Sequence, residues 1–155
     1  MELTVLFKII LIFILLCFSA FFSGSETALF SLGSIKLFKL KESRHPRASL
    51  IDEMLKHPRR LIISLLVGND IINIAMSAVA ASLFISVAGI EGSWMSIAVM
   101  TPIIFLFGEV LPKTIAVAHT ETVATLVARP VDFFARIVFP LRWVLKKLVD
   151  AVLYM

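Results

Sequence analysis

The stretch FFSGSETALFSL, residues 21–32, closes an apolar run that begins at Leu3 and yet carries several polar side chains. A run of this length predicts a membrane-spanning helix, because about 20 apolar residues are enough to cross a bilayer. A carboxylate such as that of Glu26 costs roughly 2.5–3.5 kcal/mol at the centre of a spanning helix on insertion scales. The stretch therefore predicts an all-helical integral membrane protein and, within it, a polar site that offsets this cost.

The composition of the whole chain agrees with a membrane protein. Of its 155 residues 59% are hydrophobic and 17% are charged, and the mean hydropathy is +0.98. A soluble domain would have about 45–50% apolar and about 25% charged residues. The net charge of +4 does not predict nucleic-acid binding, because the basic residues lie between and after the apolar runs. Membrane topology and anionic lipids explain basic residues at such places, so we expect membrane lipids as partners.

Hydropathy predicts a single transmembrane domain over residues 1–155 with three transmembrane helices, at about 3–32, 61–88 and 94–118. Glycine and proline are expected to break the first of these helices at Gly24 and the third near Pro112. The segment 36–60 is rich in Lys and Arg, whereas the segment GIEGSW between the second and third helices has neither. The positive-inside rule then places the basic loop 36–60 and the C-terminus in the cytoplasm and the N-terminus outside.

Two further segments predict amphipathic helices at the cytoplasmic interface. Between residues 130 and 155 the charged side chains fall within one arc of a helical wheel, with an expected break near Pro140. A spanning helix would not carry such an arc without partners, whereas an interfacial helix accommodates it. Within the basic loop, an apolar stripe has the same spacing and comprises Ala48, Ile51, Met54 and Leu55.

Each predicted transmembrane helix brings oxygen atoms to membrane depth. Ser19 and Ser23 share a helical face with Glu26, and Ser25 joins them only if the helix unwinds at Gly24. In the third helix, a proline removes its own amide and clashes with the carbonyl four residues earlier. The candidate residues are Ser19, Ser23, Gly24, Ser25 and Glu26 in the first helix, Asn69, Asp70 and Asn73 in the second, and Gly108, Glu109 and Lys113 in the third.

The donor types favour a hard cation. Hydroxyl, amide, carbonyl and carboxylate oxygens suit magnesium, calcium or sodium, and no thiolate or imidazole shares these positions. Other interpretations stay open at this point. A single serine can bond to its own helix, the asparagines can join helices to each other, and Glu109 and Lys113 can form an ion pair at i, i+4.

Three motifs together resemble the transmembrane domain of the CorC/cyclin M (CNNM) magnesium transporters over essentially the whole chain: FSGSETAL, GNDIIN and GEVLPKT. The resemblance implies magnesium transport, with efflux coupled to sodium, by a homodimer in a membrane, here a bacterial inner membrane. It implies a magnesium site formed by the motif residues in a cavity open to the cytoplasm. Our reading of the residues agrees, and the expected ligands are Ser23, Ser25, Asn73 and Glu109, followed by Ser19, Asn69 and the Gly108 carbonyl, with Gly24, Glu26, Asp70 and Lys113 around them.

The resemblance also implies cytosolic CBS domains that bind ATP, which the 155 residues do not contain. The main alternative function is a membrane protein that senses magnesium, or serves as a scaffold, and binds the ion without moving it. An intramembrane hydrolase is a weaker alternative, because the sequence has no G-x-S-x-G motif and no histidine shares a predicted helix with Ser23 or Ser25. We therefore expect no enzymatic activity.

Overall fold

The computed structural model describes residues 2–138, and within this range the chain is helical and has no strand, which confirms the predicted all-α class. The α-helices are α1 (Glu2–Ser31), α2 (Gly33–Glu42), α3 (Ala48–Lys56), α4 (Pro58–Ala88), α5 (Gly92–Ile103), α6 (Leu111–Ala118) and α7 (Thr120–Ile137). A short 3-10 turn, Gly89–Glu91, follows α4, and a π-helix, Ile104–Val110, lies between α5 and α6.

Two helical stretches among the described residues are long and apolar enough to cross a membrane: Glu2–Ser31 and Pro58–Ala118. The second contains 61 residues. A straight helix of that length would measure roughly 90 Å, about three times the hydrocarbon thickness of a bilayer. The stretch instead folds back at residues 89–92. The hairpin is tight, because a Cβ on Gly92 would overlap the backbone carbonyl of Phe84.

Three long segments therefore lie side by side: α1, α4, and a third rod made of α5, the π-helix and α6. Lys8 contacts Ser82 and Ser19 contacts Asn73, so α1 and α4 run antiparallel. Ser19 also approaches Gly108, at the centre of the third rod. We call the end with the turn at residues 89–92 the hairpin end, and the opposite end, with α2 and α3, the basic end.

The basic end is covered by α3 and α7. A buried apolar cluster joins these helices to α1, α4 and α6, and it includes Leu29, Ile51, Leu65 and Val131. The buried Ala48 and Ile51 lie on the apolar stripe predicted for the basic loop, and the guanidinium group of Arg47 donates to the Thr125 carbonyl at 2.6 Å. These contacts fix α3 against α7 at the basic end of the three-segment bundle.

A small ion-pair network also connects α2 to α3. The Lys41 ammonium group lies 2.7 Å from Asp52, and that of Lys56 lies 3.3 Å from the same carboxylate. The hydrogen bond from Lys41 lowers the pKa of Asp52, and Asp52 in turn raises the pKa of Lys56. Since both side chains face water, the network orients the short helices and adds little stability.

The prediction that Gly24 breaks the first helix is wrong. α1 continues as an α-helix from Glu2 through Gly24 to Ser31, and the chain changes direction only near Gly33, which has φ +63°. Gly24 instead allows close packing: a Cβ at this position would lie 3.5 Å from Pro112 of the third rod. The third rod does depart from α-helical geometry at the expected place, since its π-helix directly precedes Pro112.

The boundary predicted for the C-terminal amphipathic helix is also wrong. The helix begins at Thr120, ten residues before the predicted start, and Pro130 lies inside it rather than before it. Glu121 in the first turn favours a helix start there, and Pro130 is tolerated on the exposed face. One face of α7 is buried, as an amphipathic helix requires. The remainder of the predicted segment, from residue 139 and including Pro140, lies outside the described residues.

Candidate functional site

A polar junction lies where α1, α4 and the third rod meet, and it consists of Ser19, Asn69, Asn73 and Gly108. Ser19 is fully buried, and its Oγ lies 2.7 Å from Oδ1 of Asn73 and 3.2 Å from Oδ1 of Asn69. A hydroxyl group has one proton, so it can fully satisfy only one of these two amide oxygens. Two amide oxygens therefore converge at a buried point with one proton between them.

Gly108 forms the third wall of the junction. A Cβ at this position would lie 2.9 Å from Oγ of Ser19, which is closer than side chains normally approach. The absence of a side chain lets the backbone of the third rod reach the hydroxyl and amide groups of the other two segments. The junction thus joins a residue from each of the three predicted transmembrane segments.

The backbone of the third rod is altered beside the junction. The amide of Leu111 donates to the carbonyl of Leu106, five residues back, which is the π-helical pattern. Pro112 follows and has no amide, so a carbonyl of the preceding turn loses its helical partner. Single π-helical turns inside α-helices occur frequently at functional sites.

Two buried serine hydroxyls of α1 lack a hydrogen-bond partner within residues 2–138. Among the described residues, Oγ of Ser23 and Oγ of Ser25 are buried side-chain atoms without a hydrogen bond, and the two serines are 2% and 0% exposed. Buried polar groups nearly always have partners, so an exception requires a water molecule, an ion or a functional explanation. Both serines were predicted as ligands, and both are removed from water.

The two serines nevertheless lie on different sides of α1. Because α1 is a regular helix here, successive residues turn by about 100° and Ser25 points roughly 200° away from Ser23. Ser23 follows Ser19 on the face of the polar junction, one turn nearer the basic end. Ser25 instead lines a mainly apolar cavity of about 340 Å³, together with Pro112 and Val123. The structure brings Ser23, but not Ser25, to the side of the junction.

The predicted acidic residues differ in their surroundings. Glu109, next to Gly108, and Glu26 are half-buried, whereas Asp70 and Lys113 are exposed. Glu109 and Lys113 do not form the ion pair that their spacing allows, since all ion pairs among residues 2–138 lie at the basic end. Glu109 is thus a half-buried carboxylate, at the depth of the junction, whose charge no side chain in the described range neutralises.

The chemistry of the site is that of oxygen ligands. In the part of the chain described by the structure, no three His, Cys, Asp or Glu side chains come together. Neutral hydroxyl, amide and carbonyl oxygens beside a single carboxylate suit magnesium, calcium or sodium.

Sequence reasoning missed two features on the hairpin side of the junction. The first is an apolar cluster centred on Met76, Ala80 and Met100, between the polar junction and the hairpin end. The second is the contact between Lys8 and the backbone of α4. The spacing of Met76 and Ala80 indicates a buried helix face, but nothing in the sequence says which residue of another helix covers it.

Comparison with known proteins gives a consistent result. The family described as the cyclin M transmembrane N-terminal domain matches residues 10–155. The chain is 34% identical over 130 residues to an Escherichia coli inner membrane protein, YfjD of the UPF0053 group, and 33% identical over 136 residues to a UPF0053 protein of Haemophilus influenzae. It is also 34% identical over 145 residues to the metal transporter cnnm-1 of Caenorhabditis elegans.

These matches cover most of this chain and a minor part of each relative. The match to the E. coli protein covers 82% of this chain and 30% of the relative, and the match to the H. influenzae protein covers 88% and 32%. The match to the C. elegans protein covers 90% of this chain and 17% of the relative. The chain therefore spans about a third or less of the length of these relatives. What is common to all of them is this helical membrane domain.

Proposed function

Because the chain belongs to the cyclin M transmembrane domain family, we propose that it transports magnesium ions across a membrane. The C. elegans relative is named a metal transporter, and the E. coli relative is named an inner membrane protein. We place this chain in a bacterial inner membrane, with α1, α4 and the third rod as three spanning segments. The basic end then faces the cytoplasm, because loops rich in Lys and Arg remain on that side.

The observation that carries the proposal is the set of incompletely satisfied oxygens around the polar junction. Two amide oxygens converge on one hydroxyl proton, the Ser23 hydroxyl is buried without a partner, and Glu109 has no cation beside it. One divalent cation would supply the missing positive charge to all of these groups. Magnesium fits best in this family, and it binds oxygen ligands in near-octahedral geometry at roughly 2.0–2.1 Å.

The proposed ligand set takes groups from all three spanning segments. Since a carboxylate offsets the loss of hydration better than neutral groups do, Glu109 is the dominant ligand. Ser25 is left out of this set because it lies on the other side of α1. The proposed ligands are the side chains of Ser19, Ser23, Asn69, Asn73 and Glu109 and the backbone carbonyl of Gly108.

The same proposal has four further parts: α7 and α3 lie at the membrane interface, the protein is a homodimer, transport is coupled to sodium, and its direction is outward. α7 buries one face against the bundle, and α3 lies beside it, at the end where cytoplasmic lipid headgroups would be. The dimer, the coupling ion, the direction of transport and regulation by CBS domains come from the family resemblance alone. Each of them concerns the longer proteins to which this domain is related.

The proposed ligand set separates two serines that are equally buried. We expect Ser23→Ala to weaken magnesium binding at least tenfold, because a hydrogen bond or ligand bond to a charged group contributes roughly 1.5–3 kcal/mol. We expect Ser25→Ala to change magnesium affinity less than twofold, because that side chain lines the apolar cavity on the other side of α1. Isothermal titration calorimetry of the two purified variants measures both constants.

The two variants control each other, because they remove the same atom from equally buried positions of one helix. Equal losses in both would mean that α1 rotates or unwinds when the ion binds. Unchanged binding in Ser23→Ala would exclude this serine, and with it the proposed face of α1, from the magnesium site.

A further inference from the structure

A lysine at the hairpin end of α1 contacts α4 directly. Lys8 is half-buried, and its ammonium group donates a hydrogen bond to the backbone carbonyl of Ser82 at 3.1 Å. The two residues are 74 positions apart in the sequence, so this bond joins two long helices. A lysine that merely extends to the interface would point its ammonium group into water. Here the ammonium group stays exposed and also donates to the backbone of the neighbouring helix.

An apolar plug separates Lys8 from the polar junction. Its centre consists of the buried side chains of Met76, Ala80 and Met100. Half-buried apolar residues pack around this centre: Ile12, Leu15, Leu16, Ile103 and Ile104. About 16 Å of helix lies between Lys8 and Ser19, and the plug occupies this distance. The members of the plug are all apolar, and the buried hydroxyl group of Ser96, one turn before Met100, cannot by itself replace the hydration water of a cation.

The plug and the lysine together have the properties of a closed gate. We propose that Lys8 is the latch of this gate: its bond to the Ser82 carbonyl holds α1 against α4, and an ion passes the hairpin end only after the bond has broken. The inference rests on the proposed function, because a gate requires an ion pathway through the junction. Methionine side chains suit the plug, since they repack easily when the helices separate.

The charge of the latch adds to its effect. An ammonium group at the hairpin end repels cations that approach from that side while the bond is closed. Once α1 moves away from α4, the same group can turn outward to the interface, where lysine side chains are normally accommodated. The latch therefore affects both the contact between α1 and α4 and the electrostatic potential at the hairpin end.

The test measures access to the plug with a thiol reagent. In a Cys17→Ser background, Ala80→Cys places a thiol inside the plug, and charged methanethiosulfonate reagents are added to the purified protein. We expect Lys8→Met to raise the reaction rate about tenfold with both a cationic and an anionic reagent, since the loss of one charge-assisted bond populates the open form. Lys8→Arg should react at nearly the original rate.

Lys39→Met serves as the matched control, because the Lys39 side chain lies at the basic end without a hydrogen bond or ion pair among the described residues. Equal rates in Lys8→Met and the parent would overturn the latch. A faster reaction with the cationic reagent and a slower one with the anionic reagent would also overturn the latch. That result would mean that Lys8→Met changes only the electrostatic potential near the thiol.

A second experiment does not depend on the folding of Lys8→Met. Cysteines in place of Lys8 and Ser82 are joined by a short bifunctional thiol reagent, again in the Cys17→Ser background. We expect the cross-link to stop magnesium flux through liposomes while magnesium binding persists, and undiminished flux would overturn the latch. If the uncross-linked protein carries no magnesium at all, the proposed function fails, and the thiol reaction still decides whether Lys8 holds the helices together.

Discussion

Replacement of Glu109 by glutamine is expected to abolish measurable magnesium binding. The substitution keeps the size of the side chain and removes its charge, and Glu109 is a half-buried carboxylate that directly follows Gly108 of the polar junction in the chain. Removing one partner of a buried charge pair costs about 2–5 kcal/mol, and 3 kcal/mol corresponds to more than a 100-fold loss of affinity. Calorimetry of the purified protein measures this loss directly.

Lys113→Met is the control for this substitution. Lys113 is exposed and forms no ion pair with Glu109, so magnesium binding should remain within about twofold of the original, as for other exposed charges. If Glu109→Gln binds magnesium as well as the original protein, the carboxylate is not a ligand. If Lys113→Met weakens binding as much as Glu109→Gln, the two residues act as a pair that this structure does not contain.

The second large effect is expected from adding one methyl group at Gly108. A Cβ there would lie 2.9 Å from Oγ of Ser19, so Gly108→Ala must displace either the serine or the backbone of the third rod. We expect magnesium affinity to fall at least tenfold and the free energy of unfolding to fall by about 1–3 kcal/mol, as in other overpacked sites. Calorimetry and thermal unfolding measure the two effects separately.

Gly24→Ala is the matched control for Gly108→Ala, because both glycines lie at contacts between α1 and the third rod. A Cβ at Gly24 would lie 3.5 Å from Pro112, an ordinary contact distance. Alanine also favours a helix by about 1 kcal/mol relative to glycine, so this variant should be as stable as the original or more stable. Strong loss of magnesium binding in Gly24→Ala would mean that the helix must unwind at this glycine, as the sequence first suggested.

The sequence indicates which residues can face one another at the polar junction, because Ser19, Asn69 and Asn73 lie on regular helix faces. Asn69 and Asn73 are one turn apart, and the disturbance before Pro112 follows from the missing amide of proline. That these faces meet at one level cannot be read from spacing, because depth depends on where each helix ends and how it packs. The contacts of Ser19 supply this information.

The errors have physical causes of the same kind. A glycine between two serines suggests unwinding, but packing against Pro112 explains Gly24 without it. Pro130 suggests a helix start, but the exposed side of a helix that packs on the bundle tolerates it. The bond from Lys8 to Ser82 is unpredictable in principle, since a backbone acceptor leaves no trace in residue identity.

Magnesium flux through protein-containing liposomes decides whether this chain transports the ion. The chain is reconstituted in vesicles that contain a magnesium-sensitive dye, and flux is recorded with and without a sodium gradient. The same measurement is made on Asn73→Ala, which removes an amide of the polar junction. We expect flux above that of protein-free liposomes for the original chain, and little or none for Asn73→Ala. Magnesium binding by calorimetry without any flux would contradict this expectation and would identify a protein that senses the ion rather than one that transports it.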